Sequence, residues 1–406
     1  MPGDRPLRMG LIGLGRACSS MLPSIMAHPD VRITAAAEVR PEAREAFARD
    51  FGAAAYQDAE DLCRDPNVDA VYIATPHQFH REHVLLAAAH AKHAIVEKPM
   101  ALTIEDCEAM NQAVERSGIR LVVGHTHSFD PPILKMRELI REGRLGRVRM
   151  INTWDYTDFL YRPRRPEELD TSLGGGIIFN QVPHQVDSVR LLGGGLCRSV
   201  RAMAGVWDSA RPTEGAHATF LDFEDGAAAT IVYSGYDHFD SAEFHDWVGE
   251  GGSRTKPRHG AARRALAAIQ GPEAAAKAAT GYGGPERRAW LSAGDERWHP
   301  HFGTTIVSCE RGDLRTTPRG VMVYGDDSRE EIEVPLGRAA PDKGRVLDEL
   351  LDALAGGRPN VHDGRWGEAT LEVCLAILQS SHERREVFLE RQVPVRDTFP
   401  EPQRRS

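Results

Sequence analysis

The sequence predicts a two-domain α/β protein, in which a doubly wound parallel sheet is followed by an α+β unit built on a large, mainly antiparallel sheet. Three observations carry this. A chain of 406 residues exceeds what one ordinary core accommodates. From Leu7 to Gly124, short and almost wholly apolar runs alternate with amphipathic stretches, as in a parallel sheet covered on both faces. After Phe129 that rhythm gives way to strand-like runs joined by turn signals such as Glu224-Asp225-Gly226.

In the first part, strands are predicted over 7–12, 31–37, 70–74, 93–96 and 121–123, with helices over 41–50, 79–90 and 104–117. Right-handed crossovers between them give the doubly wound arrangement. Pro131 and Pro132 then open a helix reaching Arg141. Strands follow over 147–154, 199–206, 217–222 and 227–233, interrupted by a helix at 181–192. The runs 304–309, 320–324 and 330–334 continue the sheet. Residues 251–300, rich in Arg, Ala and Gly, read as an insertion that is helical around 260–270 and partly mobile. Amphipathic helices over 343–354 and 367–384 close the chain. The expected units are 1–125, 126–340 and 341–406.

Composition narrows the partners. With 41% apolar and 27% charged residues the chain is globular, and its net charge of −9 disfavours a general nucleic-acid surface. The six cysteines show no C-x-x-C pair or zinc spacing, which fits a reducing compartment. Met1 to Leu7 lacks the apolar core of a signal peptide, and no run approaches the roughly 20 apolar residues needed to span a bilayer. A cytoplasmic protein without membrane or nucleic-acid partners is expected.

The stretch Gly10-Leu-Ile-Gly13-Leu-Gly15-Arg16-Ala-Cys18 follows the first strand and opens a helix. Glycines belong there because the turn is tight and the backbone must approach a pyrophosphate at a helix N-terminus. Cys18 stands where the fingerprint has its third glycine. Glu38, at the end of the next strand, is placed to accept hydrogen bonds from a ribose diol and to repel a 2′-phosphate. Arg40 pulls the other way, since a guanidinium can hold that phosphate. NAD is therefore expected ahead of NADP, with Gly13, Gly15, Arg16, Glu38 and Arg40 at the site.

Two strand-end motifs, Ala74-Thr75-Pro76-His77 and Glu97-Lys98-Pro99, are followed by Gly174-Gly175-Gly176 and His184-x-x-Asp187. In this order and spacing they resemble the Gfo/Idh/MocA oxidoreductases, over nearly the whole chain apart from the insertion. The resemblance implies a Rossmann domain joined to an open-faced sheet domain, and homo-oligomers built through that sheet. It implies Lys98 and His184 as catalytic residues, and Thr75, Pro76, His80, Glu97 and Lys98 near the cofactor. The aspartate often found four residues before the histidine is Asn180 here, which shifts more of the base role onto His184. Within the family, the stretches at 124–130, 161–171 and 233–240 are most similar to phthalate 4,5-cis-dihydrodiol dehydrogenases.

These residue types suit carbinol oxidation. A neutral imidazole takes a hydroxyl proton near neutral pH, and an ammonium beside the same oxygen favours the alkoxide. Arg162, Arg164 and Arg165 form the sharpest cationic cluster and match the carboxylates of a phthalate-type dihydrodiol, although pairing with Glu167 and Glu168 would explain them equally simply. His125, His127 and Asn180 are expected in the substrate pocket. No metal is expected, because His77, His80 and His83 have no carboxylate or thiolate frame. The other functions in view are a sugar or cyclitol dehydrogenase using the same Lys98 and His184, and a non-catalytic dinucleotide-binding regulator.

Overall fold

The computed structural model describes residues 5–284, 297–338, 343–356 and 360–396. Strands β1 (Leu7–Ile12), β2 (Val31–Ala37), β3 (Ala54–Tyr56), β4 (Ala70–Ile73), β5 (His93–Val96) and β6 (Leu121–Val123) form one parallel sheet. Its order is β3-β2-β1-β4-β5-β6, so the winding reverses between β1 and β4. Helices α1 (Arg16–Ala27), α2 (Pro41–Phe51), α3 (Ala59–Arg64), α4 (His80–Ala89) and α5 (Ile104–Ser117) make the crossovers. Burial on both faces explains the apolar runs: Met9, Leu11, Val71, Ile73 and Ile95 are all fully buried. The reversal opens a crevice at the strands' carboxyl ends, where such sheets bind ligands.

The second sheet has nine strands: β7 (Val148–Tyr156), β8 (Cys197–Gly205), β9 (Ala216–Phe223), β10 (Ala228–Ser234), β11 (Thr304–Cys309), β12 (Gly312–Thr317), β13 (Gly320–Tyr324), β14 (Arg329–Glu333) and β15 (Val387–Phe388). Its order is β14-β13-β12-β11-β7-β10-β9-β8-β15, antiparallel throughout except where β7 meets β10. Helices α6 (Pro131–Glu142), α7 (Gly176–Asn180) and α8 (Val182–Leu192) precede β8. On the inner face Ile151, Ile231, Leu221, Val200 and Val307 form one core with Met136, Val186, Val189 and Ile377. The outer face is bare. Trp154, Val232, Ala218 and Met203 lie in one cross-strand row, and Met150 and Phe220 stand exposed beside it.

Residues after β10 reach both sheets. Helices α9 (Ala261–Ala267) and α10 (Glu273–Ala279) form the described core of the expected insertion. Glu273 accepts hydrogen bonds from the Arg211 guanidinium and the Arg164 backbone N–H, each at 2.9 Å, and Lys277 pairs with Glu168. Farther on, Tyr282 buries its ring against Phe47 and Phe51 of α2 and donates its hydroxyl to Asp50 at 2.7 Å. The segment thus straps the sheet domain to the parallel-sheet domain. Of the span predicted to be partly mobile, residues 285–296 lie outside the described residues.

The chain closes on α11 (Arg345–Gly356) and α12 (Gly364–Glu383). Val346, Leu347 and Leu350 join the core beneath the parallel sheet, while α12 packs on both α5 and β8. Among the described residues no helix is long and apolar enough to cross a membrane.

Candidate active site

The glycine turn sits at the reversal point of the parallel sheet. Gly13 has φ +85°, and a Cβ there would lie 2.9 Å from the Thr75 methyl and 3.0 Å from the Ala74 carbonyl oxygen. At Gly15 a Cβ would meet only that oxygen, at 3.8 Å, and no side chain caps the following helix. Among the described residues α1, which begins at Arg16, thus starts without a side-chain cap, as a helix N-terminus that receives an anionic group does. Cys18 is fully buried and fills the position of the third glycine by packing into the core.

Glu38 is buried behind this turn, accepting from Leu14 N at 2.8 Å, Arg40 N at 3.0 Å and the Arg40 guanidinium at 3.0–3.1 Å. Burial pushes its pKa up, but Arg40 and the two N–H groups outweigh this and hold the carboxylate below its ordinary range. Arg40 also donates to the Leu14 carbonyl at 2.9 Å. Glu38 and Arg40 therefore brace the turn as one unit, where the sequence suggested rivals. An open turn, an uncapped helix N-terminus and an acid beside them fit a dinucleotide: α1 would take the pyrophosphate and Glu38 a ribose. Bound there, the nicotinamide supplies hydride acceptance.

The strand-end motifs place Lys98 between the domains. His80 is fully buried, with Nδ1 2.9 Å from the Pro99 carbonyl and Nε2 2.9 Å from the Thr75 carbonyl. Both ring nitrogens thus face main-chain carbonyls and tie β4's exit to β5's, which gives His80 a framework role at the expected cofactor site. Thr75 Oγ1 lies 3.0 Å from His83 Nδ1, and Pro76 leads into the turn that bears His80. Glu97 is buried and accepts the Tyr72 hydroxyl. Lys98 donates to the main-chain carbonyl of Asn180 at 2.6 Å, while the Asn180 amide donates to the carbonyls of Gly174 and Gly176 at 3.0 and 2.8 Å. Asn180 thus anchors the lysine and the glycine loop. Burial brings the Lys98 pKa down to about 8.

His184, in the first turn of α8, faces a small cluster of imidazoles. Its ring centroid is 4.8 Å from that of His127 and 4.9 Å from Phe302, which stacks on His127 at 4.7 Å. His127 Nδ1 is 2.6 Å from Asp130 Oδ2, and His125 Nε2 is 3.8 Å from Asp130 Oδ1. His127, Asp130, His184 and Phe302 converge on one cavity, lined also by Thr153, Gln185 and His301, and His125 stands behind Asp130. Burial, and then the nearby Lys98 ammonium, hold His184 well below its usual pKa, so its imidazole is neutral and able to accept a proton. Behind it, Asp187 accepts hydrogen bonds from Thr126, Ser128 and Trp366, tying the His125–His127 loop to α8.

The arginine loop splits. Arg162 is held between Asp158 at 2.6 Å and Glu250 at 3.1 Å, and Arg162 outweighs burial to keep the Glu250 pKa down to about 2. Arg164 lies flat on the Phe159 ring at 3.8 Å and is buried, which lowers its pKa to about 10. Arg165 turns outward onto Glu167 and Glu168 at 3.1 and 3.4 Å. These are the pairs with Glu167 and Glu168 that the sequence offered as the simpler reading of the loop.

Sequence reasoning passed over Asp130, Glu250 and Phe302 as site residues. The spacing His127-x-x-Asp130 was visible in the chain, because three residues can return a carboxylate to an imidazole around one turn. Glu250 and Phe302 carry no such local signal.

Fold and site together define a two-domain NAD-binding oxidoreductase. Residues 7–125 match the family profile described as the oxidoreductase family with an NAD-binding Rossmann fold, and residues 133–253 match the GFO/IDH/MocA C-terminal domain. The chain belongs to the Gfo/Idh/MocA family. It is 44% identical over 382 residues to the 1-carboxy-3-chloro-3,4-dihydroxycyclohexa-1,5-diene dehydrogenase of Comamonas testosteroni, covering 92% of this chain and 94% of that one. A solved structure of a candidate dehydrogenase from Bordetella bronchiseptica superposes with TM-score 0.91 and 48% identity, covering 95% of this chain and all of that one. The WlbA dehydrogenase of Bordetella pertussis, solved with NADH and UDP-GlcNAcA, shares the fold at TM-score 0.66 and 21% identity, over 95% of this chain and 99% of that one.

Proposed function

We propose that the protein oxidises a ring cis-dihydrodiol bearing carboxylate groups, of the 4,5-dihydro-4,5-dihydroxyphthalate type, to the corresponding catechol in aromatic degradation. The observation that carries this reading is one cavity in which a neutral His184 and its imidazole neighbours meet a stacked aromatic, Phe302, with the Lys98 ammonium beside His184. A flat ring stacks there, and the arginine loop supplies guanidinium groups for its carboxylates. Lys98 favours the alkoxide and His184 accepts the hydroxyl proton. Carboxylate contact is assigned to Arg162 and Arg164, with Arg165 left to the surface. The named activity of the Comamonas relative on a carboxylated cyclohexadiene diol supports the same substrate class.

NAD is the expected dinucleotide, since an ionised Glu38 beside the glycine turn would accept from a ribose diol and repel a 2′-phosphate, even while Arg40 braces it. The exposed row of Trp154, Val232, Ala218 and Met203 fits a homo-oligomer formed through the open sheet face.

The test is an absorbance assay of NADH formation against cis-dihydrodiols with two, one and no carboxylates, together with sugars and inositols. Turnover should be strongest with the carboxylated diols. Preference for a sugar or an inositol would assign the site to a carbohydrate dehydrogenase and defeat this reading.

A further inference from the structure

Oxidation of a dihydrodiol leaves a second chemical task. Removing hydride from one carbinol carbon and a proton from its oxygen yields a hydroxydienone. The ring becomes a catechol only when the neighbouring carbon also loses its C–H proton and the carbonyl oxygen gains one. His184 accounts for a single proton.

A second base stands beside it. His127 has Nδ1 2.6 Å from Asp130 Oδ2, and Asp130 is only 2% exposed. Asp130 begins helix α6, yet its side chain makes no capping bond. Its other oxygen has no hydrogen-bond partner and lies 3.8 Å from His125 Nε2, so both oxygens are turned toward imidazoles. A carboxylate at this distance fixes the Nδ1–H tautomer and leaves the Nε2 lone pair as the acceptor. That is the arrangement by which an aspartate orients a general base in hydrolase triads. His127 and His184 line the same cavity with rings 4.8 Å apart, close enough to serve adjacent carbons of one bound ring. Asn180, an amide, can take neither proton.

We propose that the protein also catalyses tautomerisation of the ring hydroxydienone to the catechol, with His127 as the base for the C–H proton and Asp130 as its positioning residue. The proposal rests on the dihydrodiol reading given above. As the C–H bond breaks, its electron pair becomes a ring double bond and the carbonyl π electrons move onto oxygen. That oxygen takes back the proton His184 accepted during oxidation, and His127 releases its own to water. One turnover then delivers one hydride to the dinucleotide and one proton to solvent, with no other oxidant. The Lys98 ammonium is placed to stabilise the enolate oxygen between the two transfers.

The experiment separates the two products in time. Enzyme and NAD are mixed rapidly with cis-4,5-dihydro-4,5-dihydroxyphthalate, NADH is followed by absorbance, and catechol is measured chromatographically after quenching. In the wild type both should appear together. In His127→Gln, whatever its NADH rate, catechol should trail NADH by about tenfold or more, within the range of lost general-base catalysis. Asp130→Asn should show a shorter lag of the same kind, and it keeps the test decisive if His127→Gln does not fold. A merely structural role would slow both products alike. Catechol in step with NADH in both variants overturns the second activity alone. A wild type that makes no NADH from any dihydrodiol removes the dihydrodiol reading, and this proposal with it.

Discussion

Buried histidines serve opposite purposes in the two halves of the molecule. In the nucleotide half, His80 is completely enclosed and both ring nitrogens reach backbone carbonyls, at Thr75 and Pro99. In the sheet half, His184 Nδ1, His125 Nε2 and Asp130 Oδ1 are buried without a hydrogen-bond partner. Each such atom costs about 1–3 kcal/mol of desolvation. His184 and Asp130 both line one cavity, so a polar ligand bound there would offset that cost. Burial alone therefore does not distinguish framework from chemistry. Pairing does.

The contrast is broken most directly by alanine scanning across it. His184→Ala and Lys98→Ala should each lower kcat by about 10²–10⁴-fold while leaving NAD affinity, measured by titration, nearly unchanged. His80→Ala should instead lower unfolding stability by about 1–3 kcal/mol, because the buried hydrogen bond from its ring N–H is lost. If His80→Ala is as stable as wild type but as slow as His184→Ala, the division into framework and chemistry is wrong.

The arginine loop sharpens the comparison on a smaller scale. Arg162→Ala should raise KM for a carboxylated diol by about 10–100-fold, the value of one charge-assisted pair, and should barely affect a diol without carboxylates. Arg165→Ala, which removes only half-exposed pairs with Glu167 and Glu168, should stay within about twofold. Equal effects from the two substitutions would place the carboxylate contact elsewhere.

A further test concerns pH. Lys98 is cationic below about 8 and neutral above it, so alkoxide stabilisation should fade as pH rises through that value. The kcat profile should fall above pH 8 by up to about tenfold per unit. His184, held neutral well below its ordinary pKa, should add no acid limb near 6.5. Measuring initial rates from pH 6 to 10 checks both limbs. A profile that keeps rising past pH 9 would show that the charge on Lys98 is not needed.

The parallel sheet was legible because burial on two faces leaves near-continuous apolar runs, such as Leu7–Ile12 and His93–Val96. Strand Ala54–Tyr56 carried no apolar run, because two of its three residues are alanines and all three are half-buried, unlike the fully buried Leu121–Val123. Gly312–Thr317 was missed for another reason: Leu314 is its only large apolar residue, and pairing between β11 and β13 supplies the rest. At the site, Lys98 and His184 were readable from the motifs around them. Phe302 reaches the imidazoles only because β11 lies next to β7, and Glu250 reaches Arg162 across 88 positions of chain. The arginine cluster was visible as a cluster. Which member turns inward depends on how Asp158, Glu167, Glu168 and Glu250 divide the guanidinium groups among them, and that is decided in three dimensions.

The lysine's anchor has a consequence for how such a site can evolve. Lys98 is held by the main-chain carbonyl of residue 180, an atom that every amino acid provides. Drift at that position therefore leaves the ammonium in place. The side chain is under a different demand, because it must donate to the carbonyls of Gly174 and Gly176. An asparagine meets that demand, whereas an ionised aspartate can only accept. A lineage could thus exchange an acid for an amide at 180 without disturbing the anchored lysine, and any proton-handling role so vacated would be free to settle on whichever neighbouring imidazole already had a carboxylate at its back.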